Sequence, residues 1–146
     1  DPLCATDYVQ DIYKYFRSKE LEASAHPTYM ENQPFINEQM RAVLVDWLID
    51  VHLDLKLVPE TLYLTINIFD RYLEKMEVKQ PKLQLVGVCC LFTASKYEEV
   101  YPPALRDIVR MCDREYSKNE VSASSVSVSG IFIASIRTFK QPVLSF

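Results

Sequence analysis

Glycine is almost missing from this chain, at 2 of 146 residues, where an average composition carries about 7%. That scarcity argues against a turn-rich β fold, a dinucleotide-binding loop and a P-loop, each of which needs glycine for its backbone geometry. Histidine is scarce as well, with His26 and His52 alone. No Ser/His/Asp or Cys/His spacing suggests a nucleophile beside its base, so an enzyme is not expected. His52 reads as a helix-surface residue. The four cysteines, Cys4, Cys89, Cys90 and Cys112, form no C-x-x-C pair. Adjacent cysteines on a helix point about 100° apart, which speaks against zinc. They read as reduced, structural thiols of an intracellular protein, and neither a metal nor a cofactor is expected. No apolar run reaches the roughly 18 residues of a membrane span, and no leader is expected. An excess of positive charge is lacking too. The net charge is −4 and the pI about 5.2, which disfavours nucleic acid as a partner.

What is present is helical punctuation. The chain is 49% hydrophobic and 25% charged over 17.0 kDa, enough for one domain with its own core. Pro27, Pro34, Pro59, Pro81, Pro102 and Pro103 divide residues 1–120 into helix-length pieces. A first helix is expected over 7–22, with Tyr8, Ile12, Tyr15 and Phe16 on one stripe. Residues 23–35 read as a loop. A second helix over about 37–57 is apolar on most of its sides, the pattern of a buried centre. A third runs from Pro59 to about Met76, with Leu62, Ile66, Phe69, Leu73 and Met76 as its stripe. A fourth runs from Pro81 to about Glu98 and is almost wholly apolar between Leu85 and Ala94. A shorter fifth carries Leu105, Ile108, Val109 and Cys112. Ser117 and Glu120 then form a capping box, the signature of another helix start. The sequence beyond does not read as that helix. Val126-Ser127-Val128 and Ile131-Phe132-Ile133 look like strand. The last 26 residues contain seven serines and no acidic residue.

The string Met40-Arg41-Ala42-Val43-Leu44-Val45-Asp46-Trp47-Leu48-Ile49-Asp50-Val51-His52 closely resembles the start of a cyclin box. The likeness continues through Glu60-Thr61-Leu62-Tyr63-Leu64-Thr65 and Asp70-Arg71-Tyr72-Leu73. It resumes at Lys82-Leu83-Gln84-Leu85-Val86-Gly87 and at Ala94-Ser95-Lys96-Tyr97-Glu98-Glu99, and reaches Tyr101-Pro102-Pro103. With Tyr8-Val9-Gln10-Asp11-Ile12-Tyr13 upstream and Tyr29-Met30 in the loop, the set is most similar to B-type mitotic cyclins. It covers about residues 1–121.

The resemblance implies an all-α, five-helix box over 36–121, incomplete at its last helix, behind an N-terminal helix and linker over 1–35. It implies a regulatory subunit that binds and activates a cyclin-dependent serine/threonine kinase in mitosis, in the nucleus and cytoplasm. Lys96, Tyr97, Glu98 and Glu99, with Ile12 and Tyr15, match kinase-contacting positions. Read without the resemblance, Lys96 is a cation at its own helix C-terminus and Ile12 and Tyr15 an amphipathic stripe. Met40, Val43, Leu44, Trp47, Asp50 and Gln84 match a shallow groove for substrate or inhibitor peptides with an Arg-x-Leu motif; by composition alone they are core. Arg41 and Asp70 match a structural ion pair, against two separate surface charges.

The matched glutamate of the last box helix is replaced here by Ser125. Residues 122–146 are therefore expected not to be native cyclin sequence and to leave the core partly uncovered. Two other functions stay open. One is a truncated cyclin that binds kinase weakly or not at all. The other is a cyclin-fold nucleic-acid-binding module, against which residues 1–120 set 14 Lys plus Arg and 20 Asp plus Glu.

Overall fold

A computed structural model describes residues 6–112 and 115–139. Cys4 and residues 140–146 of the tail lie outside the described residues. Six α-helices follow in order: α1 (Val9–Ala23), α2 (Glu38–Asp54), α3 (Pro59–Lys75), α4 (Leu83–Glu98), α5 (Leu105–Met111) and α6 (Lys118–Phe139). Among the described residues there is no strand. α2 to α6 form the five-helix box that the resemblance implies, and α1 precedes it.

The helix starts follow elementary chemistry. Asn37 caps α2, its side-chain oxygen accepting from the Met40 N–H at 2.9 Å. Pro59 occupies the first turn of α3, where its missing N–H costs nothing. α2 ends where Lys56 turns into the left-handed region at φ 55°.

The centre of the fold is α4, not α2. Every residue from Leu85 to Ser95 is buried. α2 buries only one face, through Leu44, Leu48, Val51 and His52. Val43, at the edge of that face, and Leu53, on the far side, are 66% and 62% exposed, so the expected all-round burial of α2 does not occur. α2 comes close to α4 at Gly87: a Cβ there would lie 2.9 Å from Cδ2 of Leu44. The buried hydroxyls of α4 turn back onto its own backbone, Thr93 onto Cys89 O at 2.8 Å and Ser95 onto Phe92 O at 2.9 Å. Cys89, Cys90 and Cys112 are buried. Burial pushes the Cys89 thiol up to about 11.

α3 packs on α4 through Thr61, Thr65, Ile68, Phe69 and Leu73. The buried face therefore includes two threonines, while the expected Met76 is 44% exposed. Thr65 satisfies its hydroxyl on Thr61 O at 2.6 Å.

α6 corrects the strand-like reading of the tail. The capping box forms as written: Glu120 accepts from the Ser117 N–H at 2.9 Å, and Ser117 Oγ accepts from the Glu120 N–H at 3.2 Å. The helix it opens continues across the 121/122 boundary. Val121, Ser125, Val128 and Phe132 are buried at i, i+4, i+7 and i+11. Serine costs a helix roughly 0.5 kcal/mol relative to alanine, and glycine about 1 kcal/mol. Burying Val121, Val128 and Phe132 contributes about 1.5–3 kcal/mol each, so packing overrides propensity. The core of α4 is covered on this side.

A strand would place Val126 and Val128 on one face; the helix separates them. Val126 is 72% exposed and Val128 1%. Val128→Asp is expected to destabilise the domain by about 3 kcal/mol or more, and Val126→Asp by less than about 0.5 kcal/mol. Chemical denaturation of the two variants checks the contrast.

Candidate functional site

Arg41 on α2 and Asp70 on α3 form a bidentate pair. Nη2 meets Oδ2 and Nε meets Oδ1, each at 2.7 Å. Their side chains are 28% and 19% exposed, so the pair is half-buried, as the resemblance implies. Tyr29, from the turn before α2, completes it. Its hydroxyl donates to Asp70 Oδ1 at 2.6 Å and accepts from Arg41 Nε at 2.7 Å. The bond to Asp70 raises the Arg41 guanidinium above its usual range. Burial, and then the Asp70 carboxylate, raises the Tyr29 phenol. Three elements are joined at one point. Nothing in the residue spacing announces Tyr29 as the third member.

Met40, Val43, Leu44 and Trp47 stand on one face of α2 and meet Leu83 and Gln84 at the start of α4. Together they line a cleft of about 580 Å³. Leu44 and Leu83 form a buried floor, at 7% and 6% exposure. Gln84, with Gln39, Gln80 and Asn37, supplies a polar rim. Five of the six expected groove residues are thus brought together. Asp50 is not among the lining residues. It is exposed on α2, one helical turn beyond Trp47.

The other end of α4 presents Lys96, Tyr97 and Glu98 to solvent. Lys96 Nζ lies 4.0 Å from the centroid of the Phe92 ring, a cation–π contact that rests its stem on the core edge. Tyr97 packs edge-on against Phe132 of α6, centroids 5.7 Å apart, yet stays 64% exposed. Glu99 turns inward instead. Its Oε1 accepts from the Val58 N–H at 2.8 Å and from Thr61 Oγ1 at 2.6 Å.

Ile12 and Tyr15 lie on α1, a separate element. Its apolar stripe is largely uncovered, with Tyr8 66%, Phe16 61% and Ile12 39% exposed; Tyr15 is half-buried. Asn67 of α3 donates to Ala23 O at 3.0 Å and ties down the end of α1.

His52 departs from the expectation. It is buried at 7% exposure, with Nε2 3.0 Å from Val58 O, because the turn after α2 folds back over it. Among the described residues no group of three His, Cys, Asp or Glu comes together to hold a metal. No helix there is long and apolar enough to cross a membrane.

Residues 11–128 match the model of the cyclin N-terminal domain. The chain is 50% identical over 121 residues to cyclin-B2-1 of Oryza sativa subsp. japonica, an alignment covering 83% of this chain and 29% of the relative. It is 44% identical over 128 residues to G2/mitotic-specific cyclin-B1 of Oryzias latipes, covering 88% and 31%. The chain thus spans about three-tenths of the length of these curated relatives. A viral cyclin from herpesvirus saimiri shares the fold, with a TM-score of 0.76 at 20% identity over 83% of this chain and 53% of that one.

Truncating one partner of the half-buried pair leaves the other charge without its counterpart. Arg41→Ala is expected to cost about 3 kcal/mol and Arg41→Lys less, since lysine keeps the charge but not the two-point geometry. Thermal denaturation reads the difference; an unchanged melting temperature for Arg41→Ala would show the pair to be structurally idle.

Proposed function

The chain belongs to the cyclin family, and on that premise we propose that it is a regulatory subunit that binds and activates a cyclin-dependent serine/threonine kinase in mitosis. Family membership implies a regulatory role rather than a catalytic one, and the B-type relatives support the mitotic assignment. The observation that carries the reading is the end of α4. Lys96, Tyr97 and Glu98 are exposed side by side on a helix whose preceding three turns are locked in the core. Because the turns before it are enclosed, this surface is expected to lose little conformational freedom when a partner binds. The exposed apolar stripe of α1, including Ile12, adds a second contact surface. A subunit that binds the active arrangement of a kinase more tightly than the inactive one shifts its population toward activity without doing chemistry itself.

The cleft beside Trp47 is the proposed docking groove for Arg-x-Leu peptides. Its buried Leu44–Leu83 floor suits an aliphatic side chain. Asp50, one turn beyond the lining, offers a carboxylate to an arginine at that end. The proposed locations are the nucleus and cytoplasm.

One observation favours a second reading. Ser125, at the position matched to a kinase-contacting glutamate, is buried and donates its hydroxyl to Val121 O at 2.7 Å. It presents no charge to a partner. On this reading the chain is a truncated cyclin that binds kinase weakly or not at all.

Titration of the chain into a monomeric cyclin-dependent kinase, followed by calorimetry, separates the two. The expected result is affinity near micromolar or tighter, with Lys96→Ala weakening it about tenfold or more at an unchanged melting temperature. No binding by a folded chain would overturn the proposal in favour of the truncated form. For the groove, Trp47→Ala is expected to abolish binding of an Arg-x-Leu peptide while leaving kinase affinity unchanged.

A further inference from the structure

Val58 is held from both sides. Its N–H donates to Glu99 Oε1 at 2.8 Å, and its C=O lies 3.0 Å from His52 Nε2. A carbonyl can only accept, so Nε2 carries the hydrogen of that bond. Among the described residues the other ring nitrogen, Nδ1, is buried with no hydrogen-bond partner, so the ring directs its hydrogen bonding to Val58.

Val58 is also the residue from which α3 starts, and its own side chain offers no cap. Glu99 performs that task from another helix. The carboxylate takes the Val58 N–H and, at 2.6 Å, the hydroxyl of Thr61 in the first turn. A negative group at a helix N-terminus is favoured by the aligned peptide dipoles as well. The backbone of the same residue closes α4, its N–H donating to Ser95 O at 3.0 Å. One residue therefore ends α4 and starts α3.

The chain beyond Glu99 contributes little to holding this end. Val100 is 84% and Tyr101 91% exposed. Among the described residues, the Glu99 carboxylate provides the side-chain hydrogen bonds that join 96–101 to another helix.

We infer that Glu99 is a positioning residue: by clasping Val58 and Thr61, with His52 as the opposing brace, it fixes the last turn of α4 so that Lys96 and Tyr97 are presented in a single orientation. This inference rests on the reading of that turn as the kinase-binding surface. It separates Glu99 from Lys96, Tyr97 and Glu98, beside which it stands in sequence. Those three face outward, whereas Glu99 acts through other residues of its own chain.

The test uses the full chain and a variant set read in two ways. Thr61 is completely buried and cannot touch a partner. Thr61→Val is nevertheless expected to weaken kinase affinity severalfold, in the same direction as Glu99→Ala, which is expected to lose about tenfold. Glu99→Gln keeps an acceptor oxygen and is expected to stay within about threefold of the parent. The double variant Thr61→Val/Glu99→Ala should bind no more weakly than Glu99→Ala alone. Equal losses for Glu99→Gln and Glu99→Ala, with Thr61→Val unaffected, would make Glu99 a direct charged contact and overturn the inference. The second readout needs no kinase. In the free chain, hydrogen exchange at the Val58 amide and across 96–101 should be at least about tenfold faster in Glu99→Ala. Unchanged exchange there would also overturn the inference. A parent chain that binds no kinase would reject the functional reading, while the exchange rates would still decide whether Glu99 fixes this turn.

Discussion

A helix buried on every side needs a neighbour on every side, and α4 imposes that demand on the whole box. Residues Leu85 to Ser95 have no solvent-facing position. α2 comes close enough at Gly87 to leave no room for a Cβ without moving Leu44. α3 offers Phe69, Ile68 and two threonines that satisfy their hydroxyls locally or through Glu99. α6 closes the remaining side with Val121, Val128 and Phe132. With its middle enclosed, α4 meets the outside only at its ends, and each end is a candidate interface. Leu83 and Gln84 form a wall of the cleft beside Trp47. Lys96 and Tyr97 form the opposite, exposed tip. The two surfaces are thus carried by one helix whose middle is enclosed on all sides.

Much of this was legible in the residues. Proline positions and apolar periodicity located α1 to α5 to within a few residues, because these helices obey local rules at both ends. The likeness to the cyclin box placed Arg41 against Asp70, where the structure finds them bonded. It also gathered Met40, Val43, Leu44, Trp47 and Gln84, all of which line one cleft. Asp50, which the same likeness implies as the charge for a peptide arginine, stands one turn beyond the lining residues.

What stayed hidden depended on tertiary contacts. The serine-rich stretch after Glu120 has poor helix propensity and a valine–serine alternation that imitates a strand. The buried set Val121, Ser125, Val128 and Phe132 follows a helical period nonetheless, and the capping box had already announced it. Thr61 and Thr65 are polar by type yet fully buried, since an intrahelical acceptor and the Glu99 carboxylate receive their hydroxyls. His52 reads as a surface histidine until the turn at Lys56 brings Val58 over it. Tyr29 joins the ion pair across 41 residues of sequence, a distance no local pattern spans. Glu99 looks like one more acid in an exposed run, and only the proximity of α3 reveals its inward direction.

The most direct measurement is residue-resolved hydrogen exchange across α4 and α6 of the free chain. If α6 covers α4, the amides of Val121, Ser125, Val128 and Phe132 exchange nearly as slowly as those of Cys89 to Ala94, through the same global opening. Exchange at unprotected rates across 121–132, with α4 still protected, would mean that the central helix is closed by something other than α6 and would contradict the architecture described above.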